Sequence, residues 1–234
     1  MSDKSVPFVD LTRQFEDLED EFVDIFKSIG RSGQYVLGDA LGEFEEKIAA
    51  YCDVKYAVGV ANGTDALVLG MKALGIGPGD EVITVPNSFI SSVGAIMSVG
   101  ADPRFVDVKN DLNMDPNKIK SAITDRTKAI LPVHLTGRPA EMDAISKIAQ
   151  QNGLVVLEDA AQAIGAMYSG DKVGSLGVLG GFSLHPLKNL HVYGDGGVLT
   201  TNNKDVYEEV LLLRNHGLKD RSTCVKWGLN SRLD

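Results

Sequence analysis

Residues 56–74, YAVGVANGTDALVLGMKAL, begin the regular pattern of this chain. The apolar run 56–60 predicts a short strand, and residues 64–74 predict a helix that follows it after a glycine turn. The same alternation then continues. Further strands are predicted at 81–85, 104–108, 129–133, 154–158, 181–184 and 197–201, and further helices at 89–99, 141–152 and 205–214. Short apolar strands separated by amphipathic helices predict an α/β fold with a mostly parallel sheet flanked by helices.

A helical segment precedes this pattern. Residues 11–29 carry apolar side chains at steps of three and four, which predicts an amphipathic helix, and residues 41–52 predict a second helix. The apolar positions of the first helix are Leu11, Phe15, Leu18, Phe22 and Phe26.

The composition limits the classes of partner. The chain has 234 residues, 44% of them hydrophobic, which is enough for one large domain with a substantial core. Its formal net charge of −9 leaves no basic excess to neutralise a nucleic-acid backbone. The first residues lack the apolar core of a signal peptide, and no apolar run approaches the roughly 20 residues of a membrane span. Cys52 and Cys224 fit no metal or redox motif. We therefore expect a cytoplasmic protein without a nucleic-acid partner, a membrane association or a metal site.

Candidate site residues follow the strands, because ligands of parallel sheets bind beyond the carboxyl ends of the strands. Gly63 and Thr64 follow the first strand at the start of a helix, where backbone N–H groups and the helix dipole favour a phosphate. The alternative is that Asn62 or Thr64 caps the helix. Phe89 follows the second strand and is either a stacking surface for a flat ring or a core residue.

An acid and a lysine follow two later strands. Asp159 ends an apolar run, where its burial is costly unless it pairs with a cation such as a protonated ring nitrogen; the alternative is a helix N-cap. Lys188 is either a surface charge on a loop or a nucleophilic amine. A lysine, an acid, an aromatic ring and a phosphate nest are together what pyridoxal 5′-phosphate (PLP) requires. The sequence therefore favours a PLP site.

The chain also resembles a known family, the DegT/DnrJ/EryC1/StrS sugar aminotransferases, which have the type I (aspartate aminotransferase) fold. The resemblance runs from Pro7 nearly to the last residue. It implies that residues 1–234 form the PLP-binding large domain with its N-terminal helical segment and a mostly parallel mixed sheet. Family members continue into a C-terminal small domain, which we expect to be missing from this chain. The segments that carry the resemblance are SGQYVLG (32–38), NGTDAL (62–67), GDEVI (79–83), VHLTG (133–137), EDAAQA (158–163), FS to KNL (182–190), GDGG (194–197) and GLNSRL (228–233).

The resemblance implies roles around the cofactor ring. Lys188 is expected to bind the PLP aldehyde as a Schiff base and later to move a proton between the cofactor and the substrate carbon. Asp159 is expected to pair with the pyridine nitrogen, and Gln162 to lie near the phenolic oxygen. Phe89 is expected to stack on the ring.

The resemblance also implies how the phosphate is held. Gly63, Thr64 and Ser183 are expected to bind it from the same chain. Asn230 of the partner subunit is expected to reach it across the interface of a homodimer with shared active sites.

The implied reaction is a PLP-dependent transamination in amino-sugar biosynthesis. Glutamate is the expected donor, a keto-sugar linked to a nucleotide is the expected acceptor, and pyridoxamine 5′-phosphate forms between the two half-reactions. His134 and His185 are candidates for the substrate side of the pocket.

The alternative functions are a same-fold aminotransferase for a cyclitol or other ketone, and a truncated, non-catalytic protein. Dehydratases of this fold carry histidine in place of Lys188, and an NAD site would need a GxGxxG turn that the first strand lacks.

Overall fold

The structure is a computed structural model that describes residues 6–234. Helices and strands alternate along most of the chain. The helices in these residues are α1 (Leu11–Ser32), α2 (Asp39–Tyr51), α3 (Gly63–Ala73), α4 (Ile90–Ser98), α5 (Pro116–Ala122), α6 (Met142–Gln151) and α7 (Lys204–Leu213). The strands are β1 (Tyr56–Val60), β2 (Glu81–Thr84), β3 (Asp102–Phe105), β4 (Thr127–Ile130), β5 (Val155–Asp159), β6 (Met167–Tyr168), β7 (Asp171–Lys172), β8 (Leu179–Ser183) and β9 (Gly197–Thr201).

Seven strands form one mixed sheet in the order β1-β9-β8-β5-β4-β2-β3, and β6 and β7 form a separate hairpin. Only β9 runs against its neighbours in the sheet: it is antiparallel to both β1 and β8, whereas the pairs from β8 to β3 are parallel. The carboxyl ends of β1, β2, β5 and β8 therefore meet at one edge of the sheet. A mostly parallel mixed sheet is what the sequence predicts.

Helices cover both faces of this sheet, because successive side chains of a strand point to opposite sides. Leu157 of β5 packs in the core with α3 and α7, whereas Val156 packs in the core with α5 and α6. In β4, Ala129 packs in the first of these cores and Ile130 in the second. Both cores consist almost entirely of aliphatic side chains, which explains why the strands appear in the sequence as continuous apolar runs.

The strand bounds differ from the predictions at β3, β4 and β8. The sequence predicts 104–108, 129–133 and 181–184, and the structure places each strand about two residues earlier. At β4 the reason is Pro132, which has no N–H for a ladder hydrogen bond. The apolar backbone continues beyond it in extended form, and the N–H of His134 donates to the carbonyl of Asp159. Apolar runs therefore mark buried extended backbone, of which the strand is only one part.

The hairpin strands and helix α5 are absent from the sequence predictions. The hairpin strands β6 and β7 have two residues each, which is too short for a periodic signal. Helix α5 has seven residues, but its start carries a readable signal: the Asp115 side chain accepts from the N–H of Asn117, and Pro116 occupies the first turn. No helix in the described part of the chain is both long and apolar enough to span a membrane.

Candidate active site

A cavity of about 340 Å³ lies at the carboxyl edge of the sheet. Loops after β2, β5 and β8 and the start of α3 surround it. Seven of the eight predicted site residues line it: Gly63, Thr64, Phe89, Asp159, Gln162, Ser183 and Lys188. Residues that are up to 125 positions apart in the sequence therefore share one small space.

The start of α3 forms one end of this cavity. The Asn62 side chain caps the helix by accepting from the N–H of Asp65 at 2.8 Å, so the capping role falls to Asn62 and not to Thr64. The hydroxyl of Thr64 instead contacts Ser91 Oγ at 3.0 Å. The N–H groups of Gly63 and Thr64 belong to the first helical turn, whose donors find no acceptor within the helix. This end of the cavity suits an anion such as a phosphate.

Ser183, the last residue of β8, adds a hydroxyl to the same end. Its Oγ accepts a hydrogen bond from the N–H of His185 at 3.3 Å. Because that bond uses a lone pair, the hydroxyl hydrogen of Ser183 stays available for a ligand. The backbone of Gly63 lies directly against this serine, so the helix start and the hydroxyl are held together.

Asp159, the last residue of β5, also lines the cavity and is 5% exposed. Ser92 Oγ donates to its Oδ2 at 2.6 Å, and the N–H of Ala161 donates to its Oδ1 at 3.2 Å. Burial raises the pKa of the Asp159 carboxyl, and these two hydrogen bonds and the charge of Lys188 oppose that effect. A cationic ring nitrogen beside this carboxylate would offset the cost of its burial, so the residue fits the ring of PLP.

Lys188 lies in the loop after β8 and is half-buried, with its side chain on the cavity. Its N–H donates to the carbonyl of His185 at 2.8 Å, which closes a tight turn. The next residue, Asn189, donates from its side chain to the carbonyl of Ile164 at 3.1 Å and ties the loop to the body of the domain. Lys188 is therefore a half-buried side chain on the cavity and not a fully exposed charge at the tip of a loop.

Phe89 and Gln162 also line the cavity. Phe89 directly precedes α4 and is 70% exposed, so the core alternative for this side chain is wrong. Gln162 accepts a hydrogen bond from the N–H of Thr136 at 2.7 Å through its Oε1. That contact fixes the amide and leaves its NH₂ group as the free donor.

Of the two histidines predicted for the substrate side, only His185 lines the cavity. His134 has no exposed surface. Its Nδ1 accepts from the N–H of Ala140 at 3.1 Å, so its Nε2 carries the hydrogen and donates to Glu158 Oε2 at 3.0 Å. Both ring nitrogens serve the interior of the protein, and the substrate-side prediction for His134 is wrong.

Asn230 is the one predicted cofactor-binding residue that does not line the cavity of its own chain. It is exposed and pairs with Asn215 in an isolated antiparallel bridge. This position is compatible with a role in the site of a partner subunit, which stays a prediction. Among residues 6–234, no cluster of three or more His, Cys, Asp or Glu side chains is arranged to hold a metal ion.

The sequence predictions omitted the serines of the first turn of α4 and the loop before it. Ser88 and Ser91 line the cavity, and Ser92 is fully buried behind it. The available signal is weak: three hydroxyls stand within five residues, next to the predicted aromatic Phe89. Whether these serines reach the cavity depends on where α4 packs in the fold, and the local sequence does not show where it packs.

Comparisons with known proteins agree with this geometry. The model of the DegT/DnrJ/EryC1/StrS aminotransferase family matches residues 16–234. A pleiotropic regulatory protein of Geobacillus stearothermophilus is 46% identical over 98% of this chain and 62% of its own length. A dTDP-3-amino-3,4,6-trideoxy-alpha-D-glucose transaminase of Streptomyces venezuelae is 44% identical over 98% of this chain and 61% of its own length.

Solved structures match equally well. DesV of S. venezuelae, in complex with a ketimine intermediate, superposes with a TM-score of 0.95 at 44% identity, over 98% of this chain and 62% of DesV. NtdA of Bacillus subtilis, with bound PMP cofactor, superposes with a TM-score of 0.93 at 33% identity, over 100% of this chain and 54% of NtdA. The chain thus spans about three fifths of the length of the relatives that it matches.

Proposed function

Because this chain belongs to the DegT/DnrJ/EryC1/StrS aminotransferase family, we propose that it binds PLP and transfers an amino group from glutamate to a nucleotide-linked keto-sugar. We place this reaction in amino-sugar biosynthesis in the cytoplasm. One observation carries the proposal: Lys188, Asp159 and the start of α3 line the same cavity. An amine, a buried acid and an anion site in that arrangement match the aldehyde, the ring nitrogen and the phosphate of one cofactor.

The names of several relatives support the acceptor class. Besides the S. venezuelae enzyme, one is a dTDP-3-amino-3,6-dideoxy-alpha-D-galactopyranose transaminase of Aneurinibacillus thermoaerophilus, 46% identical to this chain. Another is a UDP-N-acetyl-3-dehydro-alpha-D-glucosamine 3-aminotransferase of Acidithiobacillus ferrooxidans, 45% identical. Both act on a sugar that carries a nucleotide, which is the basis for proposing that class here.

When bound, PLP supplies an aldehyde that exchanges the amino group and a ring that stabilises the electron pair left on the substrate carbon. Lys188 supplies the amine that binds this aldehyde. When free, the Lys188 amine would serve as the acid–base group that accepts a proton from the substrate carbon and donates it on the other side of the C–N bond.

Asp159 and the phosphate end act by binding and orientation. The Asp159 carboxylate would hold a proton on the ring nitrogen, and a positive ring is the better electron sink. The first turn of α3 and the Ser183 hydroxyl would bind the phosphate, and the exposed Phe89 ring would cover one face of the cofactor ring. The Gln162 amide would donate to the phenolic oxygen. Together these contacts would hold the reacting carbon within reach of Lys188.

The proposal includes a homodimer in which Asn230 of the partner subunit completes the phosphate site. Two observations support it. Asn230 is exposed and lies outside its own cavity. The neighbouring Trp227 is 94% exposed, and a large aromatic side chain in that state is typical of a surface that another subunit covers.

A labelling experiment tests the assignment of Lys188. The 234-residue chain is mixed with PLP, reduced with borohydride and digested, and the modified peptide is identified by mass spectrometry. We expect one pyridoxyl group on Lys188. Lys172, which lies over the Tyr51 ring away from the cavity, is the internal control and should stay unmodified. A label on another lysine, or none, would show that the assignment is wrong.

A second measurement tests the reaction. Glutamate added to the PLP-loaded chain should convert the bound cofactor to its amine form and release 2-oxoglutarate, and Lys188→Ala should abolish this. A dTDP- or UDP-linked keto-sugar should then restore the original cofactor absorbance, whereas a cyclitol ketone should not. Restoration by the cyclitol ketone alone would move the acceptor to that class.

A further inference from the structure

We propose that Ser92 is the positioning residue that orients the Asp159 carboxylate toward the cofactor ring. This inference rests on the proposed function, since Asp159 needs an orientation only if it has a ring nitrogen to meet. Ser92 itself touches neither the cavity nor a ligand, and it acts through the acid.

The contact is short and lies fully inside the protein. Ser92 is in the first turn of α4 and has no exposed surface. Its Oγ lies 2.6 Å from Asp159 Oδ2, across 67 positions of sequence. At this distance an O–H to carboxylate hydrogen bond is of the strong, charge-assisted kind.

A second serine extends the contact. Ser88 Oγ lies 3.1 Å from Ser92 Oγ, and either hydroxyl could be the donor on geometry alone. Because an ionised carboxylate only accepts, Ser92 must give its single hydrogen to Asp159. Ser88 therefore donates to Ser92. The two hydroxyls form a one-way relay that ends on the acid, and donation by Ser88 strengthens the bond that Ser92 makes.

The relay restricts how the acid can turn. Ser92 holds Oδ2, while the N–H of Ala161 holds Oδ1 at 3.2 Å. Two donors on two different oxygens fix the plane of the carboxylate, so its remaining lone pairs point in set directions. Donors to the carboxylate also favour its charged form against the effect of burial.

The competing explanation is that Ser92 only satisfies a buried acid and has no effect on the ring. Ligand chemistry separates the two explanations. A PLP analogue with carbon in place of the ring nitrogen keeps the phosphate, the aldehyde and the shape of PLP, but it offers Asp159 nothing to pair with. A positioning role predicts that Ser92 affects the affinity for PLP and not that for the analogue.

The experiment measures dissociation constants of PLP and of the carbon analogue for the unaltered chain, Ser92→Ala and Ser98→Ala. Ser98 is the matched control, since it lies on α4, is exposed and bonds only to the carbonyl of Gly94. We expect Ser92→Ala to weaken PLP binding about 10-fold, the usual effect of a lost hydrogen bond to a charged group. We expect its affinity for the analogue to change less than about 2-fold, within the error expected for a variant without a ring contact.

Equal losses for both ligands would overturn the inference, because they would mean that Ser92 supports the fold of the site as a whole. No loss for either ligand would overturn it as well. Ser92→Cys, which keeps the size but is a weak donor, is measured if Ser92→Ala unfolds, and the same comparison of ligands applies. If the unaltered chain fails to bind PLP at all, the proposed function is wrong and this inference falls with it.

Discussion

The backbone of Gly63 lies directly against Ser183: a Cβ built on Gly63 would lie 2.7 Å from the Cβ of Ser183 and 3.0 Å from its Cα. The first residue of α3 thus touches the last residue of β8. Such a distance is shorter than any normal carbon–carbon contact, so only glycine fits at position 63. The contact brings the N–H groups of the helix start and the Ser183 hydroxyl to one point.

The first prediction follows from this contact. Gly63→Ala should push α3 away from β8 and weaken PLP binding by about 10-fold or more, because hydrogen bonds to a charged phosphate depend steeply on geometry. Inorganic phosphate should lose affinity in parallel, which ties the effect to the anion end of the cavity. Gly94→Ala is the control, since a Cβ there meets open space on α4. Unchanged phosphate binding by Gly63→Ala would refute the placement of the phosphate.

The second prediction concerns Glu158, which is fully buried and accepts four hydrogen bonds. Its Oε2 accepts from His134 and the N–H of Gly174, and its Oε1 accepts from the N–H groups of Leu176 and Gly177 at 2.8 Å each. Glu158→Gln would replace one acceptor by an NH₂ group facing buried donors, so the free energy of unfolding should fall by about 3 kcal/mol.

Urea unfolding measures this loss. The exposed Glu46 offers a matched control, and Glu46→Gln should change the free energy of unfolding by less than about 0.5 kcal/mol. A stability of Glu158→Gln equal to that of the control would mean that the network around Glu158 contributes nothing to folding.

The third prediction is a pH dependence. The raised pKa of Asp159 means that the folded, cofactor-free chain binds the proton more tightly than the unfolded chain, whose carboxyl titrates near the ordinary value of 3.8. Above that pH the folded state holds more protons on this group, so its contribution to stability falls as pH rises toward the folded pKa.

Asp159→Asn removes this contribution and leaves the other carboxyls in place. The difference in unfolding free energy between the variant and the unaltered chain, measured without PLP between pH 4 and pH 7, should therefore increase with pH in favour of the variant. The charge of Lys188, which faces Asp159, is present in both proteins. A difference that stays constant over this range would contradict the direction of the shift.

The fourth prediction tests shared active sites. Lys188→Ala and Asn230→Ala chains should each bind PLP weakly. In a mixed dimer, the site that keeps its own Lys188 receives Asn230 from the partner subunit that lacks the lysine. One complete site forms, so mixing should restore tight PLP binding and borohydride labelling to half the sites of the mixed dimers. If Asn230 acted within its own chain, mixing would restore nothing.

The architecture was predictable because its signals are local and repeated. Apolar runs separated by amphipathic helices placed six of the seven helices and all strands of the main sheet, and the seventh helix, α5, was missed for its short length. Errors at strand ends arose where buried extended backbone continues beyond the regular strand, as at the isolated bridge between Val133 and Asp159. The proximity of the predicted site residues could be anticipated because parallel strands bring the loops at their carboxyl ends together.

The rest of the site depended on distant partners. Nothing in the sequence around Ser92 indicates that it will meet Asp159, because that contact exists only once the first turn of α4 lies beside the end of β5. The prediction for His134 was wrong for the same reason. Its side chain points into the interior, where the ring bonds to the Glu158 carboxylate and to the N–H of Ala140.

Glu158 and Asp159 are neighbours in β5 whose side chains leave opposite faces of the sheet, one toward the interior network and the other toward the cavity. A substitution at Glu158 therefore disturbs the interior hydrogen-bond network and leaves the cavity intact, whereas a substitution at Asp159 does the reverse. An insertion or deletion of a single residue would move both side chains to the opposite face of the sheet. The interior network and the cavity would then lose their carboxylates together. Among natural variants of this chain, length changes within residues 155–159 should be eliminated by selection even where substitutions at the same positions survive.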